Sequence, residues 1–392
     1  MAKKRKRYRI IIIVLVFTAY FFLAARPVPR EVVLVPKWIN SLSSSLISSS
    51  SLESSSPEQL TISTEQTNQD KLLPFSLGTN FGYFDLSGQL IINITKTNDI
   101  YLSPNIWTEY DSLPSRLEIK DLSNETVTTI DNPGGYPVLL DDRFFVLGSE
   151  QNTLSEIGKD GSLLWKYDFG APLTCIDVKA GLVLTGSVDG MIEVFNSAGE
   201  RIFHFVPDGS RYGVILGCAL SNDGSRIGII SGIDQQRFLL FERSGVMPGD
   251  YRVIYHEYLD DGFRRVVRIL FVDDDRHIVF ERAGGISGYN IRNRNSFFIP
   301  LDGVIHAIED SGSQGYLFLV TAPVNPASSL DRNFIGIRFP QNRWLSFPRT
   351  AYRDAVFLSA PFKSTDVFIG RYFTQLFIGG GQVLMSFELE ER

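Results

Sequence analysis

Four histidines, two cysteines, a run of aspartates and a cluster of arginines are the residues of this 392-residue chain whose types could do chemistry. His204, His256, His277 and His306 lie far apart, without the short spacings by which imidazoles share a metal ion. They read as isolated structural or surface rings. Asp273-Asp274-Asp275-Arg276-His277 gathers carboxylates but lacks the alternating acids and the glycine of a calcium loop. It falls where a turn should join two strands, as Asn222-Asp223-Gly224 does earlier. Cys175 and Cys218 fall at equivalent places in consecutive strands and read as two buried free thiols, with a structural disulfide as the alternative. Arg264, Arg265 and Arg268 adjoin a strand that could face a central channel, and are expected to pair with Asp260 and Asp261. Asn93-Ile-Thr95 and Asn124-Glu-Thr126 fit the glycosylation pattern, at a frequency close to chance. No Gly-x-Ser-x-Gly elbow and no Gly-Lys-Ser/Thr phosphate loop occurs. The expectation is therefore no catalytic, cofactor-binding or metal-ligating residue, and no cofactor.

The elements that would position these residues are read from recurring turns. Asp85-Leu-Ser-Gly88, Asp121-Leu-Ser-Asn124, Lys159-Asp160-Gly161 and Ser197-Ala198-Gly199 each precede an apolar run. Their last residues are spaced by 36, 37 and 38 positions. From Lys71 onward, short apolar runs alternate with Gly, Asp, Asn and Pro turns, and no helical period is evident. The abundance of aromatics, 29 Phe and 15 Tyr, suits half-buried sheet. Such a period filled with strands predicts an all-β single β-propeller of four-stranded blades. Counting units gives seven, with six or eight as alternatives. The first unit runs from Gly78 to Asp131 with a long insertion at Pro104 to Pro114. Inner strands are placed at Tyr136 and Leu173, then near Gly213, Arg265, Val304 and Ala355. Lys71 to Leu77 is expected to close the ring by joining the last blade, whose own strands end at Val383 to Leu389.

Asp160-Gly161-Ser-Leu-Leu-Trp165, Gly186-Ser-Val-Asp-Gly190 and Ala198-Gly199-Glu-Arg-Ile-Phe203 resemble the quinoprotein-type (PQQ-like) repeat. The match is good over Gly135 to Phe205. Elsewhere the chain is equally similar to WD-repeat propellers. The quinoprotein-type family includes periplasmic dehydrogenases and the non-enzymatic outer-membrane-assembly factor BamB, and the resemblance implies a fold rather than an activity. Quinone-dependent members carry a catalytic carboxylate, a bound divalent cation and often adjacent cysteines, and no vicinal cysteine pair is present here.

The N-terminus is a separate object. Six basic residues between Lys3 and Arg9 precede an uncharged run from Ile10 to Ala25. This order predicts a transmembrane signal anchor over 10–25, with a cleaved signal peptide as the alternative, and residues 1–9 cytoplasmic by the positive-inside rule. Residues 26–70, rich in Ser, Thr and Gln, read as a flexible linker, and 71–392 as the propeller. The net charge of −6 with no basic stripe in the folded part excludes a nucleic-acid footprint. These features together predict a single-pass inner-membrane protein with a periplasmic propeller. Its expected role is a non-catalytic scaffold for another envelope protein, with contacts on the segments Pro104 to Pro114, Gly245 to Tyr258 and Thr321 to Arg332. The alternative is an enzyme or small-ligand sensor that uses the central channel.

Overall fold

The structure is a computed structural model that describes residues 13–20, 32–42, 71–339 and 355–391, apart from 113, 246, 248, 261 and 325. Among these, thirty-one strands form eight antiparallel sheets arranged as the blades of a propeller. The chain begins with β1 (Val32–Ser41). Blade 1 holds β2 (Leu73–Leu77), β3 (Asn80–Phe84) and β4 (Leu90–Thr95). Blade 2 holds β5 (Asp99–Leu102), β6 (Ile106–Tyr110), β7 (Arg116–Asp121) and β8 (Thr126–Asp131). Blade 3 is β9 (Gly135–Leu140), β10 (Arg143–Gly148), β11 (Thr153–Ile157) and β12 (Leu163–Asp168). Blade 4 is β13 (Leu173–Lys179), β14 (Leu182–Ser187), β15 (Ile192–Phe195) and β16 (Arg201–Phe205).

Blade 5 is β17 (Ile215–Leu220), β18 (Arg226–Ser231), β19 (Gln236–Arg243) and β20 (Tyr251–Leu259). Blade 6 is β21 (Ile269–Val272), β22 (His277–Arg282), β23 (Gly285–Asn290) and β24 (Asn295–Pro300). Blade 7 is β25 (Val304–Asp310), β26 (Tyr316–Ala322), β27 (Asp331–Arg338) and β28 (Val356–Lys363). Blade 8 is β29 (Val367–Tyr372), β30 (Gln375–Gly380) and β31 (Val383–Glu391), with β1 as its outer strand.

The seven-blade count is corrected to eight, because the unit Gly78 to Asp131 is two sheets. Pro104 to Pro114 is no insertion: it contains the second strand of blade 2, with Trp107 buried. Ala355 leads into an outer strand, and the last inner strand starts at Val367. Leu73–Leu77 belongs to blade 1. The strand that closes the ring is β1, drawn from what reads as linker, and it pairs with β31 from Val32↔Glu391 to Ser41↔Val383. Residues 43–70 of that linker lie outside the described residues.

The membrane reading is also overturned. Among the described residues no helix is long and apolar enough to cross a membrane. The helical residues 13–20 would rise about 12 Å, against about 30 Å for a hydrocarbon core. The rest of the segments 1–9 and 10–25 lies outside the described residues. The single-pass location, and the periplasmic side inferred from it, lose their basis.

One device recurs around the ring. Where the third strand meets the fourth, the register slips by one residue: between Tyr83/Phe84, Ile119/Lys120, Glu156/Ile157, Val194/Phe195, Leu240/Phe241 and Gly336/Ile337. A bulge of this kind re-aims the following side chain. In blade 3 that side chain is Trp165, which stacks beside Phe195 of blade 4 and covers the turn at Gly199. In blade 8 the slip falls between Pro36 and Trp38, so Trp38 holds the place of Trp165. It covers the turn at Gly88 in blade 1, donates from Nε1 to the Leu86 carbonyl at 3.0 Å, and meets Phe84 edge-on. The junction between the chain ends thus repeats the junction between ordinary blades.

Gly88 has φ +90°, and a Cβ there would lie 2.6 Å from the Trp38 ring. Gly134 also has positive φ (+69°) but meets nothing within 4 Å. Gly88→Ala should therefore destabilise the ring distinctly more than Gly134→Ala. Trp38→Ala should cost about 2–4 kcal/mol, the range for a large, partly buried aromatic. Urea unfolding of the three variants checks this. Equal losses at Gly88 and Gly134 would mean that the closing contact adds nothing to the backbone strain.

Candidate interaction surface

Antiparallel pairing sends alternate turns to opposite faces of the ring. Turns between second and third strands, and the crossovers from fourth to first, share an upper face. Turns between first and second, and between third and fourth, share the lower one. β4 leads by a crossover into β5, so β2 runs in the sense of a second strand. No described residue takes the innermost place in blade 1.

On the upper face two of the three candidate arginines, Arg265 and Arg268, are tied down, and Arg264 is exposed. Arg265, in the segment before β21, makes a two-toothed ion pair with Glu281 of β22, at 2.6 and 3.0 Å, rather than with Asp260. Asp261 lies outside the described residues. The Glu281 side chain is only 2% exposed, so the pair replaces water that the carboxylate has lost. Arg268 reaches from blade 6 into blade 7 and donates to the carbonyls of Ile305 and His306 at 2.6 and 2.8 Å. Arg332 spans towards blade 8, donating to the carbonyls of Ser329 and Asp331 at 2.8 Å. Burial, then Arg332 and Arg268, holds the His306 imidazole below its ordinary pKa. Glu281 and Arg332 have no sequence motif. The hairpin sets Glu281 opposite Arg268, whose carbonyl accepts from the Glu281 amide, so strand register alone would not have paired Glu281 with Arg265.

Between these polar groups, apolar side chains face water. Val188, Val206, Tyr212, Val266, Val304 and Val324 are 44% to 68% exposed. All stand on second–third turns, crossovers or strand starts of blades 4 to 7. Exposed apolar side chains among arginines and aromatics are the composition of a protein-binding surface. On the opposite side of the ring, a polar cleft of about 740 Å³ on the same face is lined by Thr79, Lys96, Thr97, Asn98, Asp99 and Tyr110, with Asp111 and Ser112. Beside it, desolvation works against the Glu109 carboxylate, but hydrogen bonds from the Thr97 and Asn98 amides and the Thr97 hydroxyl lower its pKa.

The lower ends of the inner strands carry acids that bridge blades. Asp177 Oδ2 accepts from the Leu220 amide at 2.6 Å, and Asp275 Oδ2 from the Asn222 amide at 2.7 Å. Asp310 Oδ1 accepts from the Asp273 amide at 3.1 Å. Arg371 donates from Nε to the Asp310 carbonyl at 2.6 Å. Asp273, Asp274 and Asp275 have φ of 57°, 54° and 58°, the left-handed conformation of a turn. Asp273 pairs with Arg276 and, at 3.1 Å, with Nδ1 of His277. His277 is buried, stacks on Phe339 and contacts Asn290. His204 and His256 are exposed on outer strands. Among the described residues, no group of three or more His, Cys, Asp or Glu is placed to hold a metal ion.

The other sequence expectations are distributed as follows. Asn93 is engaged, accepting from Asn80 and donating to the Leu42 carbonyl, while Asn124 sits in a left-handed turn. Of the expected contact segments, much of Gly245 to Tyr258 is β20. Thr321 to Arg332 does form an upper-face turn between β26 and β27.

Desolvation is the main cause that raises Glu309 to about 7 and Asp310 to about 6. Glu309 therefore keeps a proton that the unfolded chain, titrating near 4.5, has already released. Stability should fall as pH rises from about 4.5 to about 7, with the cost complete above that. Glu309→Gln removes the cost, so at about pH 8 the variant should be more stable by about 1–3 kcal/mol and at about pH 4.5 unchanged. Urea midpoints at both pH values test this. A gain of the same size at each would show that Glu309 ionisation is not its source.

Comparisons with known proteins agree with this geometry. A family model described as a beta-propeller protein matches residues 1–325. An uncharacterized protein of Treponema pallidum (strain Nichols) is 29% identical over 301 residues, covering 77% of each chain. Among solved structures, the computationally designed Ika8 protein superposes with a TM-score of 0.56 at 12% identity, covering 83% of this chain and 95% of its own. BamB from Moraxella catarrhalis superposes at 0.51 and 10% identity, covering 84% and 100%. These two likenesses concern the fold alone. The family match over residues 1–325, joined to eight antiparallel sheets closed by the chain's own first strand, places this chain in the beta-propeller protein family.

Proposed function

We propose that this propeller is a non-catalytic scaffold that binds another protein through the upper face of blades 4 to 7. The observation that carries the reading is the set of exposed apolar side chains there, Val188, Val206, Tyr212, Val266, Val304 and Val324, on turns held by a rigid ring. Charged side chains nearby are already engaged: Arg265 on Glu281 within blade 6, and Arg268 on carbonyls of blade 7. That commitment favours a binding role over turnover. The docking of Trp165 on the Gly199 turn supports the quinoprotein-type reading of the repeat, as a structural device rather than a cofactor site.

A photo-crosslinking residue placed at Val266 or at Val324 should trap the same protein in cells. One placed at Leu163, an exposed rim position on β12, should not. Val266→Asp and Val324→Asp should each weaken capture of that protein about tenfold or more, as loss of an interface anchor does. Unfolding midpoints should stay unchanged. Equal trapping from face and rim, or capture that survives both substitutions, would overturn the assignment.

A further inference from the structure

The two cysteines of the chain, both free thiols, are closer partners than their spacing suggests. The register slips in β13 between Leu173 and Cys175, and in β17 between Ile215 and Gly217. Cys175 is therefore equivalent to Gly217, and Cys218 lies one residue further along. Successive strand residues point to opposite faces, so the two thiols look in opposite directions from their own sheets. Cys175 looks forward to blade 5. A Cβ on its cross-strand neighbour Gly186 would lie 2.7 Å from the Cys175 Sγ and 2.5 Å from Ile215 of β17. Cys218 looks back: it packs in one cluster with Leu184, Ile192 and Val194 of blade 4, and Cys175 borders that cluster. Ala219, its neighbour, packs instead towards Val267 and Phe271 of blade 6.

Both inner strands run from the upper to the lower face, and they lie side by side. Two residues beyond the cysteines, on the same faces, Asp177 accepts from the Leu220 amide at 2.6 Å. That bond sets Cys175 level with Cys218 across the junction.

We infer that Cys175 and Cys218 form a reversible disulfide that staples blade 4 to blade 5 beside the central channel. The oxidant is a small disulfide. The Cys175 thiolate attacks one of its sulfurs, which forms a mixed disulfide and expels one small thiol. Cys218 then loses its proton to solvent and attacks the Cys175 sulfur, which forms the protein disulfide and expels the second small thiol. The dithiol gives up two electrons and the small disulfide takes them. Cys175 is the entry point because it is only partly buried, whereas Cys218 is buried. Burial first, and the Cys175 thiol next, keeps the Cys218 thiol protonated, so the second step is the slow one.

The full-length protein, incubated with oxidised glutathione and then quenched with acid, tests the inference by intact mass and by peptide mapping without reductant. The expected product is a monomer lighter by two hydrogens, with a Cys175–Cys218 linked peptide and a higher urea midpoint that reductant reverses. Cys218→Ser should stop at a glutathione adduct on Cys175. Persistence of that adduct in the wild type, a cross-link only between chains, or two unreacted thiols would each overturn the proposal.

Discussion

In seven of the eight blades a one-residue bulge sits between the third and fourth strands and aims a side chain towards the neighbouring blade; in blade 6 these strands pair without a slip. A bulge between third and fourth strands turns Trp165 onto the Gly199 turn, Thr128 onto the Gly161 turn and Trp38 onto the Gly88 turn. Without the bulge, strict alternation would send these side chains to the other face of the sheet. The turn glycines answer to the same contact. Their positive φ forms the tight turn, and the missing Cβ leaves room for the ring above it. Closure is therefore the same packing event as the junctions after blades 2 and 3, performed between Trp38 and a blade that follows it in the chain.

Inside this hydrophobic ring, charge is used as a connector. Three acids at the lower ends of inner strands accept amides from adjacent blades, and two arginines, Arg268 at the upper end and Arg371 at the lower, donate to carbonyls across junctions. Bonds that join blades restrict their relative motion without demanding a continuous sheet. The expense falls on the acids, since taking Glu309 and Asp310 out of water raises their pKa towards neutrality. The upper face differs. Its arginines are held by backbone and by Glu281, and valines and a tyrosine are left in water between them. A ring stiffened from below and apolar above is suited to presenting a fixed surface to a partner.

The sequence by itself determined the class of structure. Turn residues at a nearly constant spacing, with apolar runs between them, permit few outcomes besides stacked four-stranded sheets, because each run is too short to bury itself alone. It also determined the local turns, since Gly88, Gly161 and Gly199 do the conformational work that their type implies. Tertiary structure decided what depends on register and on distant partners. The eighth blade is hidden because Pro104 to Pro114, which holds β6, reads as an insertion between the legible turns at Gly88 and Asn124. β1 was read as linker because a strand that pairs with the far end of the chain carries no local mark of its partner. The facing of Cys175 and Cys218 hinges on two bulges that move one residue each, and the Arg265–Glu281 pair on the path of the segment that precedes β21. A side chain's direction changes with a slip of one residue, and only the assembled ring sets that slip.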